Sequence, residues 1–158
     1  MRIRIHINRQ SLELETETGA QKWPVSTAAR GPGEEKGSYC TPRGAHIIRA
    51  KIGTGCPINT VFVGRRPTGE IYTPELGRAE PGRDWILTRI LWLSGTEPGF
   101  NRLGHCDTMQ RYIYIHGTPD EQFEAVPQSH GCIRMRNADL IALFDQVPAG
   151  TPVVITEE

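Results

Sequence analysis

The sequence predicts a mainly β fold in a single domain, residues 1–158, with one helix near the C-terminus at about 138–147. Three observations carry that expectation. Seventeen glycines and twelve prolines are scattered rather than repeated, the punctuation of many short elements joined by tight turns. Apolar residues alternate with polar ones from Ile3 onward, the two-residue period of a half-buried strand. Only one stretch keeps convincing helical spacing. A chain of 158 residues has the length of one ordinary domain and can bury a core that holds a site rigid.

Taken in order, "IRIHIN" puts Ile3, Ile5 and Ile7 on one face and Arg4, His6 and Asn8 on the other. "SLELET" resumes the alternation after a turn at Asn8–Arg9–Gln10, which makes a hairpin. "KWPVST" reads as a third strand, and Pro24 assigns it to an edge or a bulge because proline cannot donate to a ladder. Gly31 to Gly44 form a long turn-rich loop before "AHIIRAKIG" returns to strand. "NTVFVGRRPTGEIYTP" reads as a hairpin around Arg65–Gly69. "DWILTRILWLSG" is ambiguous by period, but its β-branched and aromatic content favours strand. "RYIYIHG" is a short buried strand with Ile113 and Ile115 facing one way. Asn137 then suits an N-cap, and Leu140, Ile141, Phe144 and Val147 recur at helical spacing until Pro148 and Gly150. "TPVVIT" supplies a last strand.

Lys plus Arg and Asp plus Glu balance at 18 each, so the chain lacks the basic footprint of a nucleic-acid binder. No run approaches the ~18 apolar residues of a membrane span. "MRIRIHINRQSLEL" alternates at once and has no apolar core of a signal peptide, so the expectation is a full-length cytoplasmic protein. The alternative is a periplasmic protein whose export signal was removed. Cys40, Cys56, Cys106 and Cys132 contain no CxxC pair, and reduced thiols are expected.

The chemistry concentrates in "SHGCIRMR". A thiol becomes a useful nucleophile when something lowers its pKa or takes its proton. Cys132 has two candidate bases, His130 on the same segment and His116 at the end of "RYIYIHG". His116 is the better one, because the missing Cβ of Gly117 lets another segment approach and a backbone carbonyl can orient the ring. Gly131 would let a substrate carbonyl come close to backbone N–H groups. The bland reading of a free cysteine is a small buried hydrophobe, and that is assigned to Cys40 and Cys56. His6 and His46 are read as structural. Zinc is the rival use of His105, Cys106, His116, His130 and Cys132, but no pair has the usual ligand spacing, so neither metal nor cofactor is expected.

"IHGTPDEQ" followed by "SHGCIRM" resembles the signature of the YkuD-type L,D-transpeptidase family. "QSLEL", "WPVST" and "TPRG" fall in order where that family has its opening strands and a turn, so the resemblance covers nearly the whole chain. It implies a YkuD-like β-sandwich or mixed sheet whose cysteine attacks the bond between an L-centre and D-Ala in peptidoglycan stem peptides. It implies Cys132 as nucleophile, His116 as base and the Gly117 carbonyl as its orienting group. It implies further that His130 and Gly131 shape the pocket and oxyanion hole, that Ser129 braces the loop, and that Arg134 is the basic position after the cysteine. A cation there suits a substrate carboxylate, with a structural salt bridge as the even alternative. The pattern departs at Ala28 in "STA", in "GEEKGSYC" and at His46–Ile47, positions that bear on the acceptor side.

Two fates of the acyl-enzyme follow. Water would make an L,D-carboxypeptidase trimming tetrapeptides in cell-wall recycling, the expected activity; an amine would make a periplasmic L,D-transpeptidase forming cross-links. A zinc-stabilised, non-catalytic ligand-binding β domain is the third alternative.

Overall fold

The computed structural model describes all 158 residues. Strands β1 (Arg2–His6), β2 (Ser11–Thr16) and β3 (Gly19–Pro24) form an antiparallel meander, with β3 at the sheet edge. The alternation seen in the sequence is structural: Ile3, Ile5, Leu12 and Leu14 are fully buried, while Arg2 and Arg4 pair with Glu15 on the outer face. The third strand lies about three residues earlier than "KWPVST" suggests. Past Pro24 the chain leaves the ladder and makes single bridges from Ser26 to Arg134 and from Ala28 to Ser129.

Strands β4 (Gly44–Ile52), β5 (Thr60–Val63), β6 (Arg66–Ile71) and β7 (Ile86–Gly95) follow. The β5–β6 turn is tighter than expected, at Gly64 and Arg65, with β6 already running at Arg66. A short helix α1 (Pro74–Ala79) was not foreseen. Its signals are ordinary ones: Thr73 caps Leu76 N–H through Oγ1 at 3.2 Å, and Pro74 takes the first turn. Strands β8 (Tyr114–Gly117) and β9 (Ile133–Met135), helix α2 (Asn137–Phe144) and strand β10 (Pro152–Thr156) complete the chain. The three-residue β9 is too short to show a period, and parallel pairing with β8 creates it.

The sheet runs β3-β2-β1-β10-β4-β7-β5-β6, with β10 parallel to β1 and antiparallel to β4. It branches at β7, which also pairs with β8. The main core joins Ile3, Ile5, Leu12, Leu14, Val153 and Ile155 to Ile115, Ile133 and the α2 residues Leu140, Leu143 and Phe144. Burying one such side chain contributes about 1.5–3 kcal/mol. The branch is therefore clamped from below, which is what the site requires.

Asn137 is the first residue of α2 rather than its cap, and its side chain is fully buried. Asp120 Oδ1 accepts the Asn137 N–H at 3.2 Å instead. The Asn137 amide accepts from Thr88 Oγ1 at 2.5 Å and donates to the Thr118 carbonyl at 2.9 Å. It thereby ties β7, the end of β8 and α2 together. No helix is long and apolar enough to cross a membrane.

Candidate active site

Pleating decides which side chains meet here. In the parallel β8–β9 pair His116 lies opposite Arg134 and Ile115 opposite Ile133. Residues two apart share a face, so Tyr114 and His116 project to one side of the sheet together with Cys132 and Arg134. Ile115 and Ile133 go into the core on the other side. Cys132 and His116 thus occupy diagonal positions on adjacent strands, and both line one cavity of about 270 Å³.

His116 is 1% exposed, and its Nδ1 lies 2.7 Å from the Gly117 carbonyl. A carbonyl only accepts, so Nδ1 carries the proton and Nε2 is the basic nitrogen. Burial holds the imidazole below its ordinary range, against the opposing pull of the Gly117 carbonyl. Gly117 is required at its position: a Cβ there would stand 2.2 Å from Asn137 Oδ1 and 2.6 Å from the Leu87 carbonyl. The approaching segments anticipated from the sequence are therefore β7 and α2.

The Cys132 sulfur donates to the Tyr112 carbonyl at 3.4 Å and accepts the Tyr114 N–H at 3.3 Å. Burial pushes the thiol up to about 12, with the Tyr114 N–H, Arg134 and Arg111 pulling it down and Asp84 pushing it up. Both partners therefore rest neutral near pH 7.

The turn before the cysteine is closed by Ser129, whose Oγ donates to the Cys132 carbonyl at 2.6 Å and accepts the Gly131 N–H at 3.2 Å. Gly131 has φ 129°, and the space of its missing Cβ is taken by Ile113 Cδ1 at 3.0 Å and the Cys40 carbonyl at 3.1 Å. A side chain at 131 would therefore meet the protein's own loop, which is a local reason for glycine there. Thr41 Oγ1 donates to the Gly131 carbonyl at 2.9 Å from the same side. His130 is exposed and stacks edge-on with Tyr39, centroids 5.8 Å apart. Arg134 lies 3.3 Å from the exposed carboxylate of Asp84, and both residues line the cavity.

The family comparison agrees with this frame. The model of the YkuD L,D-transpeptidase catalytic domain matches residues 1–155. The chain belongs to the YkuD L,D-transpeptidase family. Among curated relatives, Probable L,D-transpeptidase YbiS of Escherichia coli is 44% identical over 129 residues, covering 76% of this chain and 41% of YbiS. Probable L,D-transpeptidase ErfK/SrfK of Salmonella typhimurium is 31% identical over 128 residues, 75% of this chain and 40% of that protein. The chain thus spans about two-fifths of the length of these relatives. In fold it is similar to an L,D-transpeptidase from Mycobacterium smegmatis, with TM-score 0.60 at 18% identity, covering 98% of this chain and 57% of that one. It is likewise similar to L,D-transpeptidase 3 of Mycobacterium tuberculosis, solved with a faropenem-derived adduct, at TM-score 0.59 and 16% identity over 98% of this chain and 59% of that one.

Within this YkuD domain, several site features escaped the sequence reading. Arg65, Tyr112 and Tyr114 line the Cys132 cavity, and a second groove of about 590 Å³ adjoins it, sharing Asp84, His130 and Arg134. The groove is walled by α1 and the segment leading into β7, which no local pattern ties to the SHGC stretch. His105, Cys106, His116, His130 and Cys132 do not converge into a metal-holding group. All four cysteines are free, and Cys40 and Cys56 are half-buried rather than the buried fillers expected. His46 is structural as expected: both ring nitrogens are engaged, Nδ1 with the Gly44 carbonyl and Nε2 with Thr108 Oγ1, each at 3.0 Å.

Proposed function

We propose that the protein is a cysteine-dependent enzyme of peptidoglycan stem peptides that releases terminal D-Ala from tetrapeptides through a Cys132 thioester, with water as acceptor. The observation that carries this reading is one cavity lined by a thiol and by a buried imidazole whose Nδ1 is committed to the Gly117 carbonyl. His116 Nε2 takes the thiol proton as sulfur attacks the carbonyl before D-Ala; the leaving amine then recovers that proton. The Tyr114 N–H at the sulfur favours the charge that develops there. In the second step His116 takes a proton from water as it attacks the thioester, and returns it to the Cys132 sulfur as hydrolysis frees the tripeptide. The half-buried free thiols fit a reducing compartment, which supports placing the enzyme in the cytoplasm, in recycling of wall fragments.

A second reading has an amine of another stem peptide resolve the thioester. The groove of about 590 Å³ favours it, because it could hold an acceptor against water at ~55 M by raising its effective concentration. Mass spectrometry of products from a tetrapeptide, with and without an added D-amino acid or second stem peptide, separates the two. Tripeptide and free D-Ala as main products support hydrolysis; dimers or exchange outpacing tripeptide assign the amine reaction. No D-Ala release under either condition would overturn both. Pentapeptide should be a poor substrate, because its terminal bond joins two D-centres.

A further inference from the structure

Three guanidinium groups stand around Cys132, and they are not equivalent. Arg134 is paired with Asp84. Arg111 gives its donors to the Gly31–Gly44 loop, to the carbonyls of Gly33 and Glu34 at 3.2 Å and of Cys40 at 2.7 Å and to Ser38 Oγ at 3.4 Å. Arg65 has neither kind of partner. It sits in the β5–β6 turn with φ 63°, a left-handed backbone uncommon outside glycine, and that bend brings it back to line the Cys132 cavity. Its guanidinium lies 4.9 Å from the ring centroids of both Trp92 and Tyr112, and Nη1 donates to the Tyr114 hydroxyl at 3.1 Å. Aromatic faces fix the plane of a guanidinium without neutralising its charge. Of its five N–H donors one is engaged by a side chain, and no carboxylate pairs with it. A pre-oriented, uncompensated fork at the wall of a reaction cavity is built to receive a carboxylate.

Tyr114 sets the scale. Its backbone N–H touches the Cys132 sulfur and its hydroxyl touches Arg65, so one tyrosine side chain separates nucleophile from guanidinium. In a terminal residue, only its nitrogen and Cα separate the scissile carbon from the free carboxylate. We propose that Arg65, aimed by Trp92, Tyr112 and Tyr114, is the specificity-determining residue that binds the terminal carboxylate of the leaving D-Ala. This rests on the stem-peptide reading above and sharpens it: the enzyme selects a free C-terminus rather than any L,D bond. The contact lies away from the bond that breaks, so it acts mainly on binding and hence on KM.

The test compares a tetrapeptide with its C-terminal amide. Turnover is measured on the wild type and Arg65→Met. Binding of the same two peptides is measured by calorimetry on Cys132→Ala with and without Arg65→Met. A charge-assisted pair predicts that wild type prefers the acid roughly 10–100-fold, mainly in KM. Arg65→Met should treat acid and amide alike, and Arg65→Lys, which keeps a point charge, should recover part of the preference. Equal handling of acid and amide by the wild type overturns the proposal, as does a preference that survives Arg65→Met. Circular dichroism and melting of Arg65→Met check that the fold persists; if it does not, Tyr114→Phe, which frees the guanidinium without removing it, must lower the preference. Preferential binding of the acid to Cys132→Ala without D-Ala release from the wild type would sink the reaction but not the clamp. Failure of the acid to bind counts against the clamp.

Discussion

His46 and His116 are equally hidden, each 1% exposed, and burial depresses the pKa of both. They differ in what their second nitrogen does. His46 closes on Gly44 and Thr108, so its ring is a strut between β4 and the segment before β8. His116 fixes one nitrogen on Gly117 and leaves Nε2 without a protein hydrogen bond, on the wall of the Cys132 cavity. Burial and a shifted pKa are therefore poor markers of a base. An uncommitted nitrogen on the wall of a cavity that a thiol also lines is the informative feature, and it depends on contacts far apart in sequence.

The sharpest way to break the comparison is to remove the thiol that distinguishes the two regions. Cys132→Ala should abolish D-Ala release while melting like the wild type, and intact-mass spectrometry should find no carbapenem adduct on it. Residual turnover by a clean preparation, or wild-type adducts mainly on Cys40, Cys56 or Cys106, would remove Cys132 from its role. Next in size is the strut. His46→Ala leaves a cavity and two unpaired polar groups, and should cost about 2–4 kcal/mol of stability with activity per folded molecule within a few-fold of wild type. Urea unfolding alongside turnover measures both. A stable but inactive His46→Ala would make His46 functional and erase the distinction drawn here.

The smallest effect is a pH dependence. His46 is held at about 4, below its ordinary 6.5, so the native state resists a proton that the unfolded chain accepts. Its contribution to stability is complete above pH 6.5 and is lost as pH falls towards 4, at most about 3 kcal/mol over that window. His116 is shifted in the same direction and adds to the loss. His46→Gln should flatten the stability profile between pH 6.5 and 4, read from urea midpoints. An unchanged slope would show that the carboxylates carry it.

Much of the frame was legible because it is local. Ile3, Ile5 and Ile7, the turn at Asn8–Gln10 and the edge proline Pro24 are written within a few residues of one another. The SHGC stretch and the His–Gly pair stood out through the family resemblance, since a cysteine or histidine taken alone also suits a buried filler, a strut or a metal ligand. What could not be read is long-range. Asn137 looks like a cap, and only the meeting of Thr88, Thr118 and Asp120 makes it the pin beneath Gly117. Gly131 stands in a motif, and only the Cys40 carbonyl and Ile113 beside it show why no side chain fits there. Arg65 looks like an exposed turn residue until Trp92, Tyr112 and Tyr114 gather around it. Helix α1 is the exception. Its Thr73–Pro74 start was visible, but six residues with no buried side chain leave too short a period to recognise.

The central claim is that His116, and not merely a buried histidine, serves the Cys132 sulfur. The rate of carbapenem acylation of Cys132, followed by intact-mass spectrometry at pH 7 on wild type, His116→Ala and His46→Ala, tests it without reference to the natural acceptor. The account predicts that His116→Ala slows the adduct by roughly 10²–10⁴-fold, the size of general-base help, while His46→Ala stays within a few-fold per folded molecule. Acylation of folded His116→Ala at the wild-type rate, or a far greater loss in His130→Ala, would contradict it.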